Sequence, residues 1–291
     1  MKIKYLFIAA AAVLLGACSE DSLDSKSIFS GESVVESNDF DKWLDKNFVE
    51  TYNIQFKYRF EFNESNSSYN LAPADYNKAV ALAKLTKYLW LESYEELMGK
   101  DFIRMYCPKI MHLVGSPAYN TQGSIVLGTA EGGMKITLYN VNSLNYLNPN
   151  LDELNYWYFK TMHHEFAHIL HQTKNYSTDF NEISAAYYQS ESWVNVDDDE
   201  ALDMGFISAY ASREPQEDFV EIIAIYVTNP AEYWDALVSS ASPAGQNAIN
   251  AKLEIVKDYL LTAWGFELDD LREIVQRRSS NIDTLDLQSL N

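Results

Sequence analysis

The sequence predicts an α+β fold in which an N-terminal mixed sheet precedes a histidine-dense helix and a mostly helical C-terminal half. Three observations predict it. Between Asn53 and Phe62 the chain alternates, with Ile54, Phe56, Tyr58, Phe60 and Phe62 on one face and Gln55, Lys57, Arg59 and Glu61 on the other, the period of a half-buried strand. Two further β-rich runs, Ser124 to Thr129 and Met134 to Tyr139, flank Ala130-Glu131-Gly132-Gly133, where glycine supplies the positive φ of a tight turn. From Leu151 onward apolar residues recur at helical spacing instead.

The first element is an address rather than part of the fold. Lys2 and Lys4 precede an apolar run from Tyr5 to Leu15 and then Leu15-Gly16-Ala17-Cys18, the layout of a bacterial secretion signal. The run is too short to stay in a bilayer as a spanning helix, and the small residues before Cys18 resemble the lipobox of bacterial lipoproteins. On that resemblance residues 1–17 are removed and Cys18 carries lipid. Ser19-Glu20-Asp21 resembles the signal that sends lipoproteins of Bacteroidetes-type bacteria to the outer face of the outer membrane. Serine and acidic residues make 18–38 a flexible tether, leaving 39–291 as the folded domain. Loss of Lys2 and Lys4, with no acid lost, takes the formal charge from −20 to −22, which disfavours nucleic acid as a partner. With Cys18 lipidated, Cys107 has no disulfide partner, so stability must come from a core that 47% hydrophobic content can supply.

Pro73 to about Leu91 reads as a helix with Val80, Leu82, Leu85, Tyr88 and Leu89 on its buried side, and a strand follows at Ile110 to Val114. Any of the strands can be the open edge on which an extended peptide pairs. Leu151 to Gln172 is one helix without internal Gly or Pro, its apolar positions being Trp157, Phe159, Met162, Phe166, Ile169 and Leu170. Later helices are expected at Asn181 to Tyr188, Asp199 to Asp203, Gln216 to Val227, Pro230 to Leu237, Ala244 to Ala263 and Leu268 to Arg277.

The chemistry lies in His164-Glu165-Phe166-Ala167-His168. Residues four apart share one helical face, so the imidazoles of His164 and His168 can converge on one Zn2+ while Glu165 stands at its flank as a base for water. Four of the five histidines lie between His163 and His171, a density that a purely structural helix does not require. A catalytic zinc needs one more protein ligand. The metzincin extension H-E-x-x-H-x-x-G-x-x-H is absent, since Ile169-Leu170-His171 follows His168 without the glycine. His171 is too far along a straight helix to reach the same ion, and Glu182 in Asn181-Glu182-Ile183-Ser184 lacks the aspartate of the thermolysin pattern. The run Asp197 to Glu200 reads as a solvated helix start. Glu217 and Glu221 are stronger candidates, because two carboxylates four apart on an apolar helix need a metal or hydrogen-bond partner once buried.

His163 to Gln172, Gly205-Phe206-Ile207-Ser208-Ala209-Tyr210-Ala211 and Glu217-Asp218-Phe219-Val220-Glu221 resemble the zinc-binding lipoprotein metallohydrolases of Bacteroidetes. The resemblance spans nearly the whole mature chain, including Gly128 to Gly133, and implies a zincin-like fold and a link to TonB-dependent nutrient-import systems. The Glu-x-x-x-Glu helix is similar, over a shorter span, to that of the anthrax lethal factor lineage of gluzincins. That likeness implies Glu217 as the third zinc ligand, Glu221 as the hydrogen-bond partner of a ligand histidine, and Tyr210 as a donor to the oxyanion. The expected function is therefore a cell-surface zinc metallopeptidase acting on a peptide or protein. The alternative is a zinc-containing binding lipoprotein of an import complex without catalysis, against which the intact Glu165 argues, since a structural site needs no base.

Overall fold

The computed structural model describes residues 36–66, 68–119, 125–126, 128–131 and 133–290. Cys18, the expected signal peptide and most of the expected tether lie outside the described residues. All described elements belong to the unit Asp39–Asn291. Among them no helix is long and apolar enough to cross a membrane.

Among the described residues, six strands form two sheets. β1 (Gln55–Lys57), β2 (Ile110–Leu113), β5 (Gly128–Glu131) and β6 (Lys135–Leu138) make a four-stranded sheet in the order β1-β2-β6-β5, while β3 (Ala118–Tyr119) and β4 (Ile125–Val126) pair separately. β1, β2 and β6 run parallel and β5 antiparallel, so the sheet is mixed. The β5–β6 hairpin holds Glu131 opposite Lys135 across a tip where Gly133 has φ +70°. A Cβ at Gly133 would stand 3.3 Å from the Ile169 side chain, which places the hairpin tip against the histidine helix.

β1 is much shorter than the alternation over 53–62 implies. After Lys57 the chain leaves the sheet: Arg59 makes a two-pronged ion pair with Asp41 at 2.8 Å, and Lys57 holds Glu61 and Glu64 at 2.9 and 2.6 Å. These charge pairs take residues 58–64 off the line of β1, Lys135 of β6 reaches Glu64 O at 2.9 Å, and Phe62, expected on the buried face, is 72% exposed. The helix expected from Pro73 begins at Tyr76, where the Asp75 carboxylate accepts from the backbone of Asn77 and Lys78. It does not stop at Leu91 but runs on through a π-helical stretch, Thr86–Leu91, to Met98, and Gly99 at φ +81° separates it from a further helix, Lys100–Tyr106. Helical residues 39–52 precede β1. None of these three additions was expected from the sequence.

Leu151 to Thr173 is continuous helix, with one π-helical stretch at Asn155–Phe159 before the motif helix Lys160–Thr173. Phe166 is fully buried and meets Trp90, Tyr94 and Phe102 edge to face at 5.8, 4.9 and 5.9 Å. Burying one such side chain contributes roughly 1.5–3 kcal/mol, so this cluster fixes the motif helix against the N-terminal helices. Its opposite side packs on the glutamate helix Pro215–Thr228. The expected helix 181–188 is only the short Asp179–Ile183, and the remaining helices are Asp198–Asp203, Ala231–Ser240, Pro243–Tyr259 and Leu268–Ser279. The last of them is tied back to the first half of the chain: Arg278 pairs with Glu92 at 3.0 Å and Glu96 at 2.9 Å, and Arg277 with Glu96.

Candidate metal centre

The motif helix and the glutamate helix cross so that three side chains meet. His164, His168 and Glu217 each offer a ligand atom, and these atoms all lie within 4.8 Å of one another. Glu217 Oε2 is 3.0 Å from His164 Nε2 and 3.3 Å from His168 Nε2. A tetrahedral zinc with ligands about 2.0–2.1 Å away spaces neighbouring donors by about 3.3 Å, so this donor set fits the ion in both chemistry and separation. Among the described residues no other group of this kind is present. Glu182 is exposed on its short helix and does not join it.

The far nitrogen of each imidazole is held. His164 Nδ1 donates to Glu221 Oε1 at 2.9 Å, and His168 Nδ1 lies 2.9 Å from His171 Nε2. Such partners fix the ring orientation and leave Nε2 of each ring turned toward the metal position. Glu221 is buried, yet it is surrounded by donors, for Lys160 Nζ and Ser208 Oγ reach its other oxygen at 2.9 and 2.8 Å. Burial alone would raise its pKa, but Lys160 and His164 outweigh that and bring it down to about 2. Burial likewise opposes a charge on His164, while Glu217 and Glu221 push it up to about 9. His171 is held down to about 4, chiefly by burial and then by His168, so it stays neutral and accepts the His168 proton.

Tyr210 sits in the short turn Tyr210–Ser212 ahead of the glutamate helix. Its ring lies 5.9 Å from that of His164 and edge-on to Trp193 at 4.9 Å, with Arg213 Nη1 donating to its hydroxyl at 3.5 Å. Burial first and the Glu217 charge second raise its pKa above the ordinary range, so the phenol keeps its proton and remains a donor. Asp218, next to Glu217 in the chain, forms an ion pair with Lys252 at 2.6 Å with both side chains 0% exposed. Tyr188 donates to the same carboxylate oxygen at 2.9 Å, and Lys252 donates to Gly205 O at 2.7 Å.

Sequence reasoning missed Lys160, Ser208, Tyr188, Arg213 and the Asp218–Lys252 pair. Lys252 alone carried a signal. It lies on the buried stripe Ile249, Leu253 and Val256, where a lysine demands an acidic partner.

An α+β architecture with two imidazoles, a carboxylate and an adjacent Glu165 at its centre is a metallopeptidase-like fold. Residues 33–269 match the family described as "Putative zinc-binding metallo-peptidase", and the chain belongs to that family. It is also similar to the crystal structure, at 2.10 Å, of a "putative zinc-binding metallo-peptidase" from Bacteroides caccae ATCC 43185. Identity is 44%, the match covers 87% of this chain and 96% of that one, and the TM-score is 0.77. No curated protein matches the chain.

Proposed function

We propose that the protein is a zinc-dependent metallopeptidase of the gluzincin kind that hydrolyses peptide bonds at the cell surface. The observation that carries this reading is the meeting of His164, His168 and Glu217 around one position, with Glu165 on the same helix as the two histidines. A bound zinc lowers the pKa of water and polarises a carbonyl. His164, His168 and Glu217 would hold the ion, and Glu221 and His171 keep the two imidazoles turned toward that position. Glu165 takes the proton of the attacking water and passes it to the leaving amine. Tyr210 donates to the oxygen that becomes negative as the carbonyl is attacked. β5, one of the two outer strands of the sheet and joined to β6 by a tip that meets the motif helix, is the edge on which an extended substrate would pair.

A lipid on Cys18 anchors the enzyme in the outer membrane, facing outward, where a TonB-dependent importer is the partner that would take up its products. The test is hydrolysis of a mixed peptide library with and without a zinc chelator. Chelator-sensitive cleavage, restored by added zinc, is expected; peptide binding with no such cleavage would instead support a binding lipoprotein.

A further inference from the structure

The two oxygens of Glu221 have different tasks. Oε1 meets His164 Nδ1 at 2.9 Å, whereas Oε2 receives Lys160 Nζ at 2.9 Å and Ser208 Oγ at 2.8 Å. The Ser208 oxygen in turn accepts the backbone N–H of Ala211 at 3.2 Å, which closes the entry to the turn Tyr210–Ser212. A serine that gives its proton to a carboxylate has its lone pairs set by that bond, so the direction in which it accepts is no longer free. Other bonds of this segment stay within it or run elsewhere: Ala209 N to Asp198 Oδ1 at 2.8 Å, Gln189 N to Ser212 O at 2.7 Å, Ser212 N to Ala209 O at 3.1 Å, Arg213 N to Tyr210 O at 3.0 Å, Ser212 Oγ to Ala209 O at 2.6 Å, and a long contact from Arg213 Nη1 to the Tyr210 hydroxyl at 3.5 Å. Among the described residues, Ser208 is the link from this turn to the carboxylate that orients His164.

The geometry points to Ser208 as a positioning residue that fixes the Tyr210 hydroxyl relative to His164. The chain of contacts is His164, Glu221, Ser208, Ala211, and Ala209 and Tyr210 are the two residues bracketed by the last two. One carboxylate thereby sets both a candidate metal ligand and the turn that carries the candidate oxyanion donor. In its catalytic arm this inference rests on the role proposed for Tyr210. A plain structural alternative exists, in which Ser208 only supplies Glu221 with a hydrogen bond, and the two make different predictions.

The test compares Ser208→Ala in two backgrounds of the zinc-loaded protein. With Tyr210 present, kcat on a cleavable peptide should fall about tenfold while KM and zinc content stay unchanged, the size set by losing one hydrogen bond at a turn entry. In a Tyr210→Phe background the same change should cost less than about twofold, because the group being positioned is gone. Ser208→Thr, which keeps the hydroxyl, should restore the rate. Equal losses in both backgrounds, or loss of zinc on Ser208→Ala, would overturn the inference. A readout independent of catalysis uses protein labelled with 3-fluorotyrosine, in which the fluorine resonance missing from Tyr210→Phe belongs to residue 210. Ser208→Ala should shift or broaden that resonance, and an unmoved resonance overturns the inference even if no peptide is ever cleaved. Failure to find any hydrolysis would instead count against the proposed function and leave the spectroscopic arm to decide. If Ser208→Ala does not fold, Ser208→Cys replaces it: the weak thiol should move the resonance and Ser208→Thr should not.

Discussion

His171 turns its Nε2 to His168 Nδ1 at 2.9 Å, so a histidine one turn beyond the motif acts on the metal position through its neighbour. The two candidate ligand imidazoles are therefore backed unequally, His164 by the carboxylate of Glu221 and His168 by a neutral ring. An anionic partner makes an imidazole the stronger donor to a cation, so His164 is the firmer of the two candidate ligands.

Metal content separates the proposed roles of Glu165 and Glu217. Glu165→Gln should keep zinc and lose turnover, whereas Glu217→Ala should lose both, because only Glu217 supplies a ligand atom. Zinc measured by mass spectrometry beside peptide hydrolysis checks this. Full occupancy in Glu217→Ala together with loss in Glu182→Ala would sink the assignment.

Tyr210→Phe removes one hydroxyl and almost no volume. Turnover should drop by roughly 10²–10³, the cost of one oxyanion donor, with zinc content and thermal stability intact. An unchanged kcat would assign Tyr210 to packing between His164 and Trp193.

The Asp218–Lys252 pair should prove costly to break and cheap to remove whole. Burial outweighs the mutual attraction on both partners, pushing Asp218 up to about 6 and lowering Lys252. Lys252→Met alone leaves a buried carboxyl without its cation and should destabilise the fold by about 3–5 kcal/mol, while Asp218→Asn with Lys252→Met should recover much of that. Urea unfolding of the single and double variants measures both values. A single variant within about 0.5 kcal/mol of wild type, the range of ordinary surface changes, would contradict the pair's burial.

Cys107 is 3% exposed, and burial raises its thiol pKa well above the ordinary range. In a Cys18→Ala protein the native thiol should be silent toward a disulfide reagent and react fully once denatured. Rapid native labelling would show that the core around it opens.

Anchoring is tested by the same Cys18→Ala change. It should move the protein from the membrane fraction to the soluble one, since one removed lipidation site takes away the only membrane attachment proposed. Unchanged partitioning would remove the lipoprotein reading.

What the sequence made legible was local. The spacing of His164 and His168 is a property of one helix, and the pair Glu217 and Glu221 stood out because carboxylates on an apolar stripe must be compensated. Lys160, Ser208 and Tyr188 gave no such signal, since their roles arise only when residues far apart in the chain are packed together. The sheet shows the same limit. β6 and β2 were readable from short, largely apolar runs, but β1 ends where Arg59 finds Asp41, a partner 18 residues back that no alternation of Phe and Tyr announces. Glu92–Met98 and Lys100–Tyr106 were hidden because Gly99 divides them into segments too short to show a helical period clearly.

The grip of Arg277 and Arg278 on Glu92 and Glu96 bears on the order in which the protein can be made. Synthesis delivers the chain from its N-terminus, so the helices around Glu92 emerge long before the segment that closes on them. Contacts of such wide separation form late and slowly. No fragment ending at the glutamate helix holds the complete interior, and a chain halted there would keep apolar surface uncovered. The candidate metal ligands His164, His168 and Glu217 are thus all synthesised before the fold that must hold them can shut.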